Sequence, residues 1–295
     1  MTKKIKRAMK IALTSISPRL TCEMLFYTAV HRRPNLKDPK TLDEKLCLLK
    51  LTEYGRDPLI PRCADKYRVR EYVKEKGLGF LLNECYGVYE SPEEIPWEEL
   101  PQSFVLKGNH GCAYNILCPD KDKLDKAAAQ KQLKAWLKED FWKVHAELNY
   151  RGIPKKILCE AYLTTPEGGP IPDYKIYCFH GKPACMMVCL DRADGATRFY
   201  FFDQEWNLLR INPDGKAAPE GFTLPKPEVV DEMFRYAEIL SEDFLFVRVD
   251  FYAIGSRVVF GELTFTPASG VDPKRLPETD LMWGSMLHLP EDLAL

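Results

Sequence analysis

The sequence predicts an α+β fold, with helices packed on antiparallel sheets. Three observations carry that expectation. The first third of the chain has helical periodicity with recognisable caps. From residue 104 onward, short apolar runs separated by turn residues read as strands. No internal repeat or low-complexity segment interrupts either pattern.

Residues 1–60 read as helical, broken around Pro34 and Pro39. Thr41 then stands as an N-cap, and Glu44 three residues on completes a capping box. Asp65 opens a further helix with Val69, Tyr72 and Val73 on one face, and Gly77 stops it. Residues 80–89 are strand-like, and a loop rich in Pro and Glu runs to Pro101. Residues 104–107 form a short apolar strand that ends in Lys107 and enters the small-residue turn Gly108-Asn109-His110-Gly111-Cys112-Ala113. Residues 124–141 have the pattern of an amphipathic helix facing inward through Leu133, Trp136, Leu137 and Phe141. Further strands follow at 157–163, 173–180, 182–190 and 198–206, with Gly181 turning the second into the third. A helix over 228–243 leads into a hairpin of 246–252 and 258–264, turned at Gly255 and Ser256. The tail after Gly270 reads as loop because of Pro273, Pro277 and Pro290.

At 295 residues the chain can bury a sizeable core, and a formal net charge of −1 removes the electrostatic footprint of a nucleic-acid binder. Several of the ten cysteines, including Cys159, Cys178, Cys185 and Cys189, lie inside apolar runs, and no Cys-x-x-Cys pair exists. Together with the want of a signal-peptide pattern, this predicts reduced thiols and a cytoplasmic protein. The start is basic, but its apolar run is broken by Lys10, Thr14 and Ser15. It reads either as a solvated first helix or as a basic amphipathic helix resting on the inner face of a membrane or on a partner in a biosynthetic complex. No stretch approaches the ~20 apolar residues that span a bilayer.

The chemistry concentrates at the final hairpin. Asp250 and Glu262 sit among apolar neighbours on its two strands. A carboxylate there needs a partner: a divalent cation with oxygen ligands, or surface ion pairs with residues such as Arg248. Two upstream elements favour the cation. One is Lys107 at the mouth of its turn, the other the strand ending Glu160-Ala161-Tyr162-Leu163. A nucleoside triphosphate with magnesium uses all three, since lysine and exposed N–H groups hold phosphate while carboxylates hold the metal. His145, His180 and His288 lack zinc-ligand spacing. Cys112 has a histidine nearby in sequence but no third group to orient a nucleophilic dyad.

The order and spacing resemble the ATP-grasp superfamily. Arg248-Val249-Asp250 and Glu262-Leu263-Thr264, followed by Pro267-Ala268-Ser269-Gly270, stand where its ligases carry Arg-x-Asp, Glu-x-Asn and a Pro-Gly turn. More narrowly, the chain resembles the TupA-like ATP-grasp family, associated with bacterial cell-surface polysaccharide synthesis. The resemblance rests on residues 65–73, 100–101, 104–111, 159–163, 173–175 and 260–265. It implies two α+β lobes with antiparallel sheets, 61–159 carrying a phosphate flap and 160–295 carrying the metal hairpin, behind an N-terminal helical segment of 1–60. Lys107 would contact the α- and β-phosphates, and the turn from His110 through Gly111 to Ala113 would close over them. The backbone of Glu160, Ala161, Tyr162 and Leu163 would recognise adenine, and Asp173, or else Glu167, the ribose. Lys175 would meet the phosphate tail, Asp250 and Glu262 would bind Mg2+, and Arg248 would steady charge on the acyl group. Thr264 replaces the usual asparagine ligand, and Gly111-Cys112-Ala113 replaces Gly-Ser-Gly. The implied activity is an ATP- and Mg-dependent carboxylate–amine ligase with an acyl-phosphate intermediate, acting on a small-molecule or glycan substrate, a sugar acid or an amino acid. Phosphotransfer to a sugar hydroxyl and non-catalytic nucleotide binding are the alternatives. A glycosyltransferase function is discounted for want of a sugar-nucleotide motif.

Overall fold

The computed structural model describes residues 3–165, 169, 171–190, 197–291 and 293. Glu167, the alternative ribose partner, lies outside them. The chain begins with a helical hairpin, α1 (Lys3–Ile16) and α2 (Pro18–Val30). Ser17 makes the corner by accepting from the Leu20 amide at 3.2 Å, and Pro18 occupies a first-turn position where no N–H is needed. Next come α3 (Leu42–Leu51), α4 (Leu59–Ala64) and α5 (Val69–Glu75). The Thr41–Glu44 capping box forms as expected. Asp65 does not sit at the first turn of α5: it ends α4, and its carboxylate takes the amides of Tyr67 and Arg68 in the turn that leads to α5.

The smaller sheet has the order β1-β4-β2-β3 and is antiparallel throughout. Its strands are β1 (Cys85–Tyr89), β2 (Phe104–Gly108), β3 (Asn115–Cys118) and β4 (Ile157–Ala161). One face, with Phe104, Leu106 and Cys159, packs on Ala129 and Leu133 of α6 (Lys126–Lys138). The short α7 (Trp142–His145) follows α6.

The larger sheet has the order β10-β9-β5-β6-β7-β8, again antiparallel. It is built from β5 (Asp173–Phe179), β6 (Lys182–Leu190), β7 (Arg198–Phe202), β8 (Leu208–Leu209), β9 (Phe246–Ile254) and β10 (Arg257–Thr264). The helices α8 (Pro213–Ala217) and α9 (Val230–Ser241) lie between β8 and β9. Alternate residues of β5 and β9 divide the work. Ile176, Cys178, Val247 and Val249 are buried on the face covered by α9, where the Cys178 thiol lies 3.9 Å from the Ala237 carbonyl. The other face carries Asp173, Lys175, Tyr177, Arg248 and Asp250.

Two expectations change. The tail is not all loop: α10 (Pro277–Met286) crosses the second face, and its Trp283 ring lies 4.9 Å from Tyr177. Its prolines misled because Pro277 begins the helix, where a missing N–H costs nothing. Residues 80–89 form a strand only over Cys85–Tyr89, preceded by the helical turn Gly79–Leu81. The N-terminal helices also pack into the larger body. Leu42, Leu46 and Leu49 share a core with the six-stranded sheet, and Cys22 and Phe26 pack with Cys47 and Val271. Among the described residues no helix is long and apolar enough to cross a membrane.

Candidate functional site

A bulge puts the two hairpin acids side by side. Pairing runs Phe260 to Phe251 and then Glu262 to Asp250, so Gly261 is the extra residue. Without it the side-chain alternation would send Glu262 to the opposite face. A Cβ on Gly261 would come within 2.9 Å of the Asp250 carbonyl oxygen, so the bulge needs glycine for space. Thr264 then falls opposite Arg248, and Lys175 of β5 opposite Asp250.

These residues form one chain of ionic contacts. Arg248 donates from Nε and Nη2 to the two Asp250 oxygens, each at 2.7 Å. Lys175 bridges Asp250 and Asp173, the latter at 2.8 Å. Arg248 also donates to the Thr264 hydroxyl at 3.2 Å, and that hydroxyl donates to Glu262 at 3.2 Å. Lys66 closes the far end, 2.6 Å from the other Glu262 oxygen. Three acids therefore face three cations. Burial pushes the Glu262 carboxyl up, but Lys66, Lys175 and Arg248 hold it well below the usual carboxylate range. Burial likewise pulls Lys175 down, and Asp250 and Asp173 hold it above its ordinary value.

A second cluster lies on the smaller sheet, on the face away from α6. Glu160 takes Lys107 at 2.6 Å through one oxygen and Arg70 at 2.9 Å through the other. Arg70 also donates to the Asn83 carbonyl at 2.7 Å. Glu160 precedes the crossing from β4 to the larger sheet. The Ala161 amide is used by the Glu84 carbonyl and the Ala161 carbonyl by Asn83, which narrows the hinge edge. Tyr162 and Leu163 follow half-buried, with no backbone hydrogen bond among the described residues.

The turn after Lys107 departs from expectation. His110 is buried, its Nε2 lies 3.0 Å from the Trp136 carbonyl oxygen, and its ring packs edge-on against Tyr114. Burial lowers its pKa, so the imidazole is a neutral packing group and is not presented to a phosphate. Gly111 is required for contact, since a Cβ there would lie 2.6 Å from the Phe141 ring. Asn109 pins the base of the turn by donating to Asp65 and to the Pro154 carbonyl and accepting from the Lys156 amide. Only Cys112 and Ala113 are exposed.

Sequence reasoning passed over Lys66, Arg70 and Asn109. Lys66 joins the sheets: its amide donates to the Asn109 carbonyl at 3.2 Å while its ammonium holds Glu262. The signal was a run of charged residues, Asp65 to Glu71, within a segment otherwise read for its apolar helix face. The Asp-x-Asp spacing that a glycosyltransferase reading asks for does occur, at Asp120-Lys121-Asp122. Those residues are a surface turn. Asp120 caps the Asp122 amide, both acids take the Gln102 amide group, and Lys121 donates to the Glu98 and Leu100 carbonyls.

The model for the family described as TupA-like ATPgrasp matches residues 44–288. The chain belongs to that family. No curated protein matches it. Among solved structures, D-alanine–D-alanine ligase from Bacillus anthracis complexed with ATP is similar at 14% identity and TM-score 0.44, over 76% of this chain and 66% of that one. N5-carboxyaminoimidazole synthase from Aspergillus clavatus, in complex with ADP and an aminoimidazole ribonucleotide, is similar at 11% and 0.40, over 69% and 44%. The ATP-grasp ligase PsnB with minimal precursor, Mg and ADP is similar at 15% and 0.38, over 77% and 60%. The chain thus spans less than two thirds of the length of each.

The donors on the hairpin suit a hard divalent cation in type: two carboxylates and a hydroxyl, all oxygen. Among the described residues no group of three or more His, Cys, Asp or Glu is arranged to hold a metal ion. Magnesium asks for fewer, because it keeps water and substrate phosphates as ligands.

Proposed function

We propose that this protein is an ATP-dependent carboxylate–amine ligase working through an acyl phosphate. The observation that carries the reading is the self-neutralised network on the face of the larger sheet. Three cations lie on three acids, which is the arrangement that an incoming magnesium nucleotide can divide. Phosphate oxygens would take the lysines and the arginine, which would free the acids to hold a metal. Magnesium, when bound, would be held by Asp250 and Glu262 with the Thr264 hydroxyl beside them, and would offset phosphate charge.

In this reading Lys107 leaves Glu160 for the phosphates, the Tyr162–Leu163 backbone meets the adenine edge, and Asp173 meets the ribose. Lys175 and Arg248 hold the γ-phosphoryl group and the substrate carboxylate together. The carboxylate oxygen attacks the γ-phosphorus, ADP leaves, and an amine then displaces phosphate from the acyl carbon to give the amide. Arg248 stabilises the tetrahedral oxyanion. Residues 61–159 and 160–295 serve as the two lobes, and the amide belongs to a cell-surface glycan conjugate made in the cytoplasm.

A peripheral membrane contact fits the N-terminal hairpin. Ile5, Met9 and Ile16 lie on one stripe of α1 and Leu20, Met24 and Tyr27 on one stripe of α2, all exposed, with Ile16 at 81%. The first 22 residues hold six Lys/Arg and no Asp/Glu, against 36 and 43 in the rest. Such a surface suits anionic lipid. Co-sedimentation with phosphatidylglycerol vesicles, lost in Ile16→Glu, is the expected result; equal pelleting with neutral vesicles counts against it.

The ligase reading is tested by incubating the protein with ATP, magnesium, a panel of carboxylic acids and hydroxylamine. Hydroxamate formed in step with ADP is the expected outcome. Phosphorylated sugar, or ATP turnover indifferent to every acid, defeats it.

A further inference from the structure

A cavity of about 630 Å³ opens on the same sheet face as the ion network. Lys175 and Arg248 line one part of it, and Tyr177, Phe199, Phe201 and Trp283 line another. The aromatic rings form a continuous shell. Trp283 lies 4.9 Å from Tyr177 and 5.7 Å from Phe201, and Tyr177 lies 6.0 Å from Phe201. We propose that this cavity seats the acyl substrate and takes a carboxylic acid with an aromatic or flat apolar body, not a sugar acid. The proposal rests on the ligase reading for where the carboxylate goes, and on the cavity alone for the body behind it.

The Asn212 amide group and the Thr279 hydroxyl on the wall are already engaged. The Asn212 amide donates to the Phe199 carbonyl at 2.8 Å and accepts from the Gly215 amide, and the Thr279 hydroxyl donates to the Ile211 carbonyl at 2.6 Å. Asp214 takes the Phe199 amide at 2.8 Å. A pyranose brings several hydroxyls, and each one buried without a partner costs roughly 1–3 kcal/mol. An aromatic acid brings a ring that the shell receives by stacking or edge contact. Its carboxylate is left for the charged end, where Lys175 and Arg248 already hold oxygen ligands.

The test titrates phenylpropionate, hydroxybenzoate and D-glucuronate into the full chain without nucleotide, by calorimetry or saturation-transfer NMR. Binding of the aromatic acids at least about tenfold tighter than that of glucuronate is expected, and weakening by about tenfold in Phe199→Ala. Phe199 is half-buried at the cavity edge, so this variant should fold, and a melting curve checks it. Phe201→Ala gives the same readout deeper in. Glucuronate binding as tightly as the aromatic acids, no binding by any of them, or indifference to both phenylalanine changes overturns the assignment. ATP affinity is measured separately. If it is absent while aromatic acids still bind, the ligase reading fails and the cavity's preference stands.

Discussion

Two ion clusters in this protein, both built from carboxylates and cationic side chains, behave differently. On the sheet face, Asp173, Asp250 and Glu262 meet Lys66, Lys175 and Arg248, charge for charge. Between α3 and α10, Asp43 and Asp280 share the single guanidinium of Arg275, which lies 3.4 Å from Asp280 and closer to Asp43. The second cluster carries one acid too many for its cations. Burial and the neighbouring Asp280 carboxylate push the Asp43 carboxyl up to about 7, against the pull of Arg275. A balanced cluster can stay ionised and exchange partners with an ionic ligand. An unbalanced one settles its excess by holding a proton, and its work is to tie elements together. Here it fixes α3 to a segment that lines the cavity, since the Asp43 amide also donates to Asp280 at 2.9 Å and Asp43 accepts from the Asp272 amide.

The comparison breaks most sharply under loss of a cation. Arg275→Leu leaves two buried carboxylates without a cation, and urea unfolding should show a loss of about 3–5 kcal/mol. A loss below about 1 kcal/mol would mean that the α3–α10 cluster is ornamental. On the sheet face the large effect should fall on turnover. Arg248→Ala should lower ATP-dependent hydroxamate formation by about 10²–10³ while the nucleotide still binds. Lys107→Ala, on the smaller sheet, should weaken ATP binding by about tenfold with little change in melting temperature. An unaltered ATP affinity removes Lys107 from the site.

Much of the fold was legible because its signals are local. The Thr41–Glu44 box, the Gly181 turn and the alternation along residues 246–252 each depend on a few neighbours. The site was legible as a set of residues but not as a network. That Glu262 shares a face with Asp250 depends on the Gly261 bulge, and alternation counted along the chain cannot place an extra residue. Lys66 was missed because its partner lies 196 positions away. His110 looked like a ligand because it follows a lysine and a glycine, whereas its packing is decided by Trp136 on a later helix and by Tyr114 at the far end of its own turn. The cavity could not be read at all, since Trp283 belongs to a helix hidden behind prolines.

The clusters also separate by pH. The Asp43 carboxyl is raised in the folded protein to about 7, so between its unfolded value and about 7 the native state binds the extra proton. Stability from this group is therefore fully present at low pH and is lost as pH rises through about 7. Glu262 runs the other way: its carboxyl is depressed, so its contribution is present above the ordinary glutamate range and is lost only on acidification. From about pH 5 to about pH 7, then, Glu262 is silent and Asp43 contributes a falling slope of at most about 1.4 kcal/mol per pH unit, while His110 and His180, whose pKa values burial lowers, contribute a rising one. Asp43→Asn keeps the shape and removes the titration. Chemical unfolding across that window should show the stability of the wild type falling with pH relative to that of the variant, since the histidine contributions are common to both. Parallel curves would place the excess proton elsewhere and leave the two clusters electrostatically alike.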